Sequence, residues 1–214
     1  MQPVDKQKEL ILAETAYRSV LDDILTSRLR GGTVIQERKL AAQLGISRSP
    51  MRDALRRLEG EGLLVRLTER LLTVRVITLE DYLQTLDVRA AVEPLAAALA
   101  TPHLTDEELA SLERLISRME HGEPGAETLH WAFDDQLHDT LAARSGNMFL
   151  ARIIQDMRRY TKIFEQQTVP ALVMPGLKDH HEILMALKAR EPDRARKAMS
   201  AHIRNVRRRT LDNL

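Results

Sequence analysis

The 214-residue chain contains no cysteine, which excludes disulfides, thiolate metal sites and cysteine nucleophiles together. Aromatic residues make up only 3%, and no apolar run approaches the length of a membrane span. The opening MQPVDKQKEL lacks the apolar stretch of a secretion signal. These absences fit a cytoplasmic protein with no membrane association, and freedom from cysteine is compatible with a reducing compartment. With few aromatics and abundant Leu, Ala and Arg, an α-rich fold is expected. The length accommodates two compact domains.

A net charge of +1 conceals an asymmetry. Residues 1–77 carry 14 Lys/Arg against 10 Asp/Glu, the remainder 18 against 21, and the stretch 28–57 alone 8 against 2. A basic patch on a nearly neutral protein predicts a polyanion partner for one domain only.

The first segment, roughly 12–30, has Ala16, Val20, Ile24 and Leu25 at helical spacing, and Gly31-Gly32 are expected to stop it. QERKLAAQLG (36–45) predicts a second short helix ending at Gly45. In ISRSPMRDALRRLEGEGLL, Ser47 is a good N-cap and Pro50 falls in the first turn. Met51, Ala54, Leu55 and Leu58 form one apolar stripe, with Arg48, Ser49, Arg52 and Arg56 on the other side. In residues 63–77 the period changes: Leu72, Val74 and Val76 alternate with Thr73 and Arg75, the pattern of a β-hairpin arm. Helix, helix, tight turn, helix and small hairpin make the winged helix-turn-helix plan.

From residue 78 to 214 the chain reads as an all-α antiparallel bundle of about six helices, at 79–100, 105–120, 124–143, 147–168, 174–190 and 192–213. Thr105 and Glu108 form a capping box, and Gly122, Pro124, Gly146, Pro170, Pro175, Gly176 and Pro192 punctuate the series. Pro94 lies inside the first of these helices.

Arginines on the exposed face of a capped helix can reach guanine edges or clamp phosphates. Arg48, Arg52 and Arg56, one turn apart, present a cationic line flanked by Arg38 and Lys39, and Ser49 can donate to phosphate. The run ERKLAAQLGISRSPMRDALRRLEGEGLL resembles the DNA-binding domain of the GntR superfamily of bacterial transcription regulators. That resemblance implies a homodimer on a near-palindromic double-stranded DNA operator, with Arg38, Arg48, Ser49 and Arg52 at the DNA. The family's usual wing-tip glycine is missing here, where the chain reads Thr68-Glu69-Arg70-Leu71-Leu72. Arg70 is then a candidate phosphate contact.

Among seven histidines, His103, His121 and His130 fall near loops or helix ends and are expected at the surface. Asp134 and His138 share a helix face, and His180 and His202 are equidistant from the turn at Arg190–Pro192, which places them level in an antiparallel pair. Three imidazoles and a carboxylate converging in a bundle core can hold one divalent ion per chain, zinc or nickel first, manganese or iron next. His181 points away from His180 and is expected to be solvated or behind the site. The same residues also admit structural histidines without metal, or a metal-dependent hydrolase or oxygenase with Asp135 or Glu182 as base. HEILM (181–185) is not a zincin motif, because its last position is Met185.

D-x-x-x-H-x-x-L-x-x-x-S-G-N (134–147), D-H-x-x-I-L (179–184), A-M-x-x-H-I (198–203) and D-V-R-A-A-V-E-P (87–94) resemble the FCD ligand-binding domain of the FadR subgroup. The resemblance implies that Asp134, His138, His180 and His202 are metal ligands. It also implies a small organic acid effector that completes the metal's coordination, and Arg89 is a candidate to pair with it. Asn147 is expected to cap a helix. The function so implied is transcription regulation without enzymatic activity.

Overall fold

The computed structural model describes residues 3–121, 125–168 and 177–213. It divides into two compact units, Met1–Thr78 with Lys162–Thr168, and Leu79–Thr161 with Val169–Leu214. The first boundary falls one residue after the expected one, and the end of a later helix joins the first unit.

In the first unit, α1 (Pro3–Leu25) buries Ala16, Val20 and Ile24 against α3 (Arg48–Gly60). It starts and ends earlier than its apolar spacing suggests. Ser27 turns left-handed at φ 59°, and the chain leaves the helix before reaching Gly31-Gly32. The short α2 (Glu37–Gln43) closes at Gly45, whose φ of 63° favours glycine. Helix α3 buries Pro50, Met51, Ala54, Leu55 and Leu58, the stripe read from the sequence. Ser47 occupies the N-cap with extended backbone, but its side chain makes no capping hydrogen bond.

Strands β1 (Leu64–Thr68) and β2 (Leu71–Val74) pair antiparallel. The expected alternation fails in β2: Thr73 is buried beside Leu72 and Val74, whereas Val76 is exposed past the strand's end. The cause is a third neighbour. Val34 bridges to Thr73, Ile35 N–H donates to Leu72 O and Val74 N–H donates to Thr33 O, so β2 lies between two chain segments. The hairpin turns at Glu69-Arg70 without a left-handed residue there. Pairing shifts by one between Arg66↔Leu72 and Thr68↔Leu71, so an extra residue, Leu67, bulges out and lets the strands reverse without glycine.

The second unit contains α4 (Leu79–Ala100), a 3-10 turn (Thr101–His103), α5 (Asp106–Glu120), α6 (Ala126–Arg144), α7 (Met148–Thr168) as far as Thr161, α8 (Leu177–Lys188) and α9 (Pro192–Asp212). Among the described residues these six α-helices match the number expected. The capping box of Thr105 and Glu108 is formed, and Asn147 Oδ1 accepts from the amides of Phe149 and Leu150 at 3.1 Å each. The punctuation expected at Gly122, Pro124, Pro170, Pro175 and Gly176, with the helix starts at 124 and 174, lies outside the described residues. Helix α4 packs on α6 and α9, α5 on α6 and α8, and α8 on α9. Tyr82 and Thr210 hydrogen bond at 3.1 Å in the α4–α9 interface. Asp179 binds α8 to α9 by accepting from Asn205 Nδ2 at 2.9 Å and Arg209 Nη1 at 2.8 Å.

Candidate metal centre and nucleic-acid interface

Helix α6 places Asp134 and His138 one turn apart on its buried side, among Phe133, Leu137 and Leu141. His180 of α8 and His202 of α9 meet them with ring centroids 4.9 Å apart, as their equal distance from the turn predicts. Asp134 Oδ1 lies 3.5 Å from both His138 Nε2 and His180 Nε2. One donor atom each from Asp134, His138 and His202 lie within 4.8 Å of one another. All four side chains are buried.

These residues fit a cation. His180 Nδ1 and Nε2, His138 Nε2 and His202 Nδ1 have no hydrogen-bond partner among the described residues. Buried polar atoms are seldom left so, and imidazole nitrogens converging on a carboxylate oxygen are the donor set of borderline divalent ions.

Around that core lie charges that sequence spacing did not reveal. Arg158 Nη2 on α7 donates to Asp134 Oδ2 at 3.0 Å and Asp135 Oδ1 at 2.8 Å. On α4, Arg89 Nε donates to Glu93 Oε1 at 2.5 Å and Arg89 Nη1 donates to Thr161 Oγ1 at 3.1 Å. Glu93 Oε2 in turn touches His138 Nδ1. Arg89 is thus buried within this network rather than solvated.

His130 corrects an expectation. It is 1% exposed and stacks on His180 at 5.5 Å. Its position, four residues before Asp134, puts it on the same stripe of α6, a spacing visible in the sequence. His103 and His121 are exposed as expected, and His181 is half-exposed, 3.7 Å from Glu120.

The electrostatics follow from burial and these partners. Burial would raise the Asp134 carboxyl, but Arg158 and then His138 hold it well below the usual carboxylate range. Glu93 is likewise held low against burial by Arg89 and His138. Burial pushes His180 and His202 down, and His130 down to about 4. His138 alone rises, because Glu93 and Asp134 outweigh its burial.

The other candidate surface is on α3, where Arg48, Ser49, Arg52 and Arg56 are exposed opposite the buried stripe, with Arg38 and Lys39 exposed on α2 and Arg70 at the hairpin tip. Glu37, the first residue of α2, accepts from Arg48 Nε at 2.8 Å and Arg52 Nη2 at 3.1 Å. It holds two of the arginines in register. Arg52, Arg56, Arg66 and Arg70 line a cleft of about 300 Å³ between α3 and the hairpin.

A winged helix-turn-helix followed by a helical bundle defines a DNA-binding regulator with a helical second domain. Comparison with known proteins agrees. The family profile "Bacterial regulatory proteins, gntR family" matches residues 12–74, and that of the FCD domain matches residues 84–205. The chain belongs to the GntR family of transcription regulators and carries an FCD domain. It is 32% identical over 178 residues to the Nta operon transcriptional regulator of Aminobacter aminovorans, covering 81% of this chain and 82% of that protein. It is 24% identical to the gluconate operon transcriptional repressor of Bacillus licheniformis, covering 96% and 89%. Among solved structures, E. coli McbR/YncC superposes with a TM-score of 0.78 at 23% identity over 95% of this chain and 99% of that one. The protein is a regulator and not an enzyme. The bases a hydrolase would need are also poorly placed, since Asp135 is tied to Arg158 and Glu182 is exposed.

Proposed function

We propose that this regulator binds a near-palindromic operator as a homodimer, and that a small carboxylate effector at a divalent metal in the bundle controls its DNA affinity. The observation that carries the reading is the convergence of Asp134, His138, His180 and His202, with unpartnered ring nitrogens, from three helices. Zinc or nickel suits this donor set best, manganese or iron next. A bound ion would tie α6, α8 and α9 together and offer an open coordination position to a carboxylate.

Charge balance supports an anionic effector. The fully buried charges of Arg89 and Arg158 are offset by those of Glu93 and Asp134. A divalent cation added to that set leaves a positive surplus, which an acid neutralises. Arg89 remains a candidate to face that acid, although its Nε and Nη1 already serve Glu93 and Thr161. One relative is named for a gluconate operon, and gluconate is a hydroxy acid.

At the DNA, Arg38, Arg48, Ser49, Arg52 and Arg56 on α2 and α3 would enter the major groove, with Arg70 at a phosphate. Glu37 would surrender Arg48 and Arg52 to the nucleic acid. Support for the dimer comes from exposed apolar side chains, Val88, Leu95 and Leu99 on α4 and Met148, Phe149 and Ile153 on α7. On the same two helices, Val92 and Ala151 pack against the small buried cluster of Ala96, Ala142 and Ile154. Helix α4 follows the wing after only four residues, so a change in the bundle has a short chain path to the DNA-binding unit. The effector acts only through a different affinity for the two arrangements.

The test is operator affinity by fluorescence anisotropy, on zinc-loaded and chelated protein, across a panel of small carboxylic acids. The reading expects at least one acid to change affinity on the loaded protein only. Identical affinities throughout the panel sink it.

A further inference from the structure

The two ring nitrogens of His138 face different groups. Nε2 looks into the donor cluster, 3.5 Å from Asp134 Oδ1. Nδ1 looks the other way, onto Glu93 Oε2 of α4, a helix that supplies none of the four candidate ligands. Neither Nδ1 nor that oxygen makes a hydrogen bond to any described residue, which leaves each open to the other across this contact. Glu93 is 2% exposed, and its other oxygen accepts from Arg89 Nε, while Arg89 Nη1 reaches Thr161 of α7. Thr161, Arg89, Glu93 and His138 therefore form one buried chain that ends on the outer nitrogen of a candidate ligand.

We infer that Glu93 is a positioning residue for the metal centre, which keeps the His138 proton on Nδ1 so that the Nε2 lone pair is offered to the ion, and that Arg89 holds Glu93 in place for this. The inference rests on the metal reading above. A neutral imidazole carries one proton and one lone pair, and the hydrogen bond at the outer nitrogen decides which is which. Glu93 can do this only as a carboxylate. It must accept from two donors at once, Arg89 and His138, and has an oxygen for each. A glutamine of the same shape has one acceptor oxygen and would turn its NH₂ toward one of the two donors. The defect of Glu93→Gln is therefore predicted to depend on Arg89.

The experiment measures zinc affinity by competition with a chromogenic chelator on stripped, full-length protein. Glu93→Gln is expected to bind zinc about 10–100-fold more weakly than wild type. Adding Arg89→Met removes the second donor and frees the amide oxygen for His138, so the double variant is expected to recover most of that loss. A purely structural role gives the reverse order, with two core changes worse than one. Wild-type affinity in Glu93→Gln, or no recovery in the double variant, overturns the inference and leaves the metal reading standing. Wild type that binds no zinc overturns both. Because the variants can fail to fold, the question is also put to wild type by imidazole nitrogen NMR on the zinc-loaded protein. His138 should show a protonated Nδ1 and a zinc-bound Nε2, and zinc on Nδ1 contradicts the assignment.

Discussion

Arginine–carboxylate pairs occur in both units, and their surroundings give them opposite uses. Glu37 pairs with Arg48 and Arg52, whose side chains are 52% and 46% exposed. In the bundle, Arg158 pairs with Asp134 at 9% and 11% exposure, and Arg89 with Glu93 at 4% and 2%. An exposed pair contributes only about 0–1 kcal/mol, so a phosphate can replace Glu37 at little cost. A buried pair is different: removing one member strands the other charge and costs about 3–5 kcal/mol. On the reading above, the α2–α3 pairs are exchangeable and the bundle pairs are permanent.

The sharpest way to break that contrast is Arg158→Met, which strands Asp134. The metal-free protein is expected to lose about 3–5 kcal/mol in urea unfolding. Zinc, on the reading above, restores part of it. A loss below about 1 kcal/mol would place this pair with the exposed ones.

On the other side of the comparison, Arg52→Ala should weaken operator binding by about 1–3 kcal/mol. Its unfolding midpoint should hardly move, because Arg52 is exposed and its pair is the weak kind. A variant that loses stability but still binds DNA would reverse the assignment.

Acid sharpens the contrast through the buried histidines. Burial holds His130 down to about 4, so it stays neutral in the fold. The unfolded chain instead takes up that proton below about pH 6.5. Acid therefore favours unfolding across that window, and His180 and His202, also lowered by burial, act in the same direction. His138 acts oppositely, since its raised pKa stabilises the fold most below its unfolded value. His130 alone should cost metal-free protein about 2 kcal/mol between pH 7 and 5, with His180 and His202 adding to that loss and His138 offsetting part of it. Denaturant melts in chelator check this, and unchanged or rising stability would mean that the three histidines are hydrated.

The smallest effect belongs to Glu37→Gln. Unfolding should shift by under about 1 kcal/mol. The salt dependence of DNA binding should stay near wild type, because Arg48 and Arg52 keep their charge.

What was legible in the sequence was local or symmetric. The α3 stripe, the capping box at Thr105 and the turn of Asp134 and His138 follow from fixed helical spacing. The level placement of His180 and His202 follows from their equal distance from one turn. What escaped depends on packing between helices distant in sequence. Nothing near Arg158 says that it meets Asp134 24 residues away, and nothing near Glu93 says that it meets His138. Glu37 was hidden similarly, 11 residues before Arg48. His130 was legible, four residues before Asp134, but lay too near a helix start to be read as buried. Helix α1 ends before Gly31-Gly32 because Ser27 adopts a left-handed turn that no glycine announces.

The most direct measurement is metal content by elemental mass spectrometry, on wild type and His180→Ala purified without an affinity tag, with circular dichroism to establish that both are folded. One divalent ion per chain in wild type, lost in the folded variant, is the predicted result. No metal in wild type, even after incubation with zinc or nickel, would contradict the account and leave Asp134 and its histidines as a polar core.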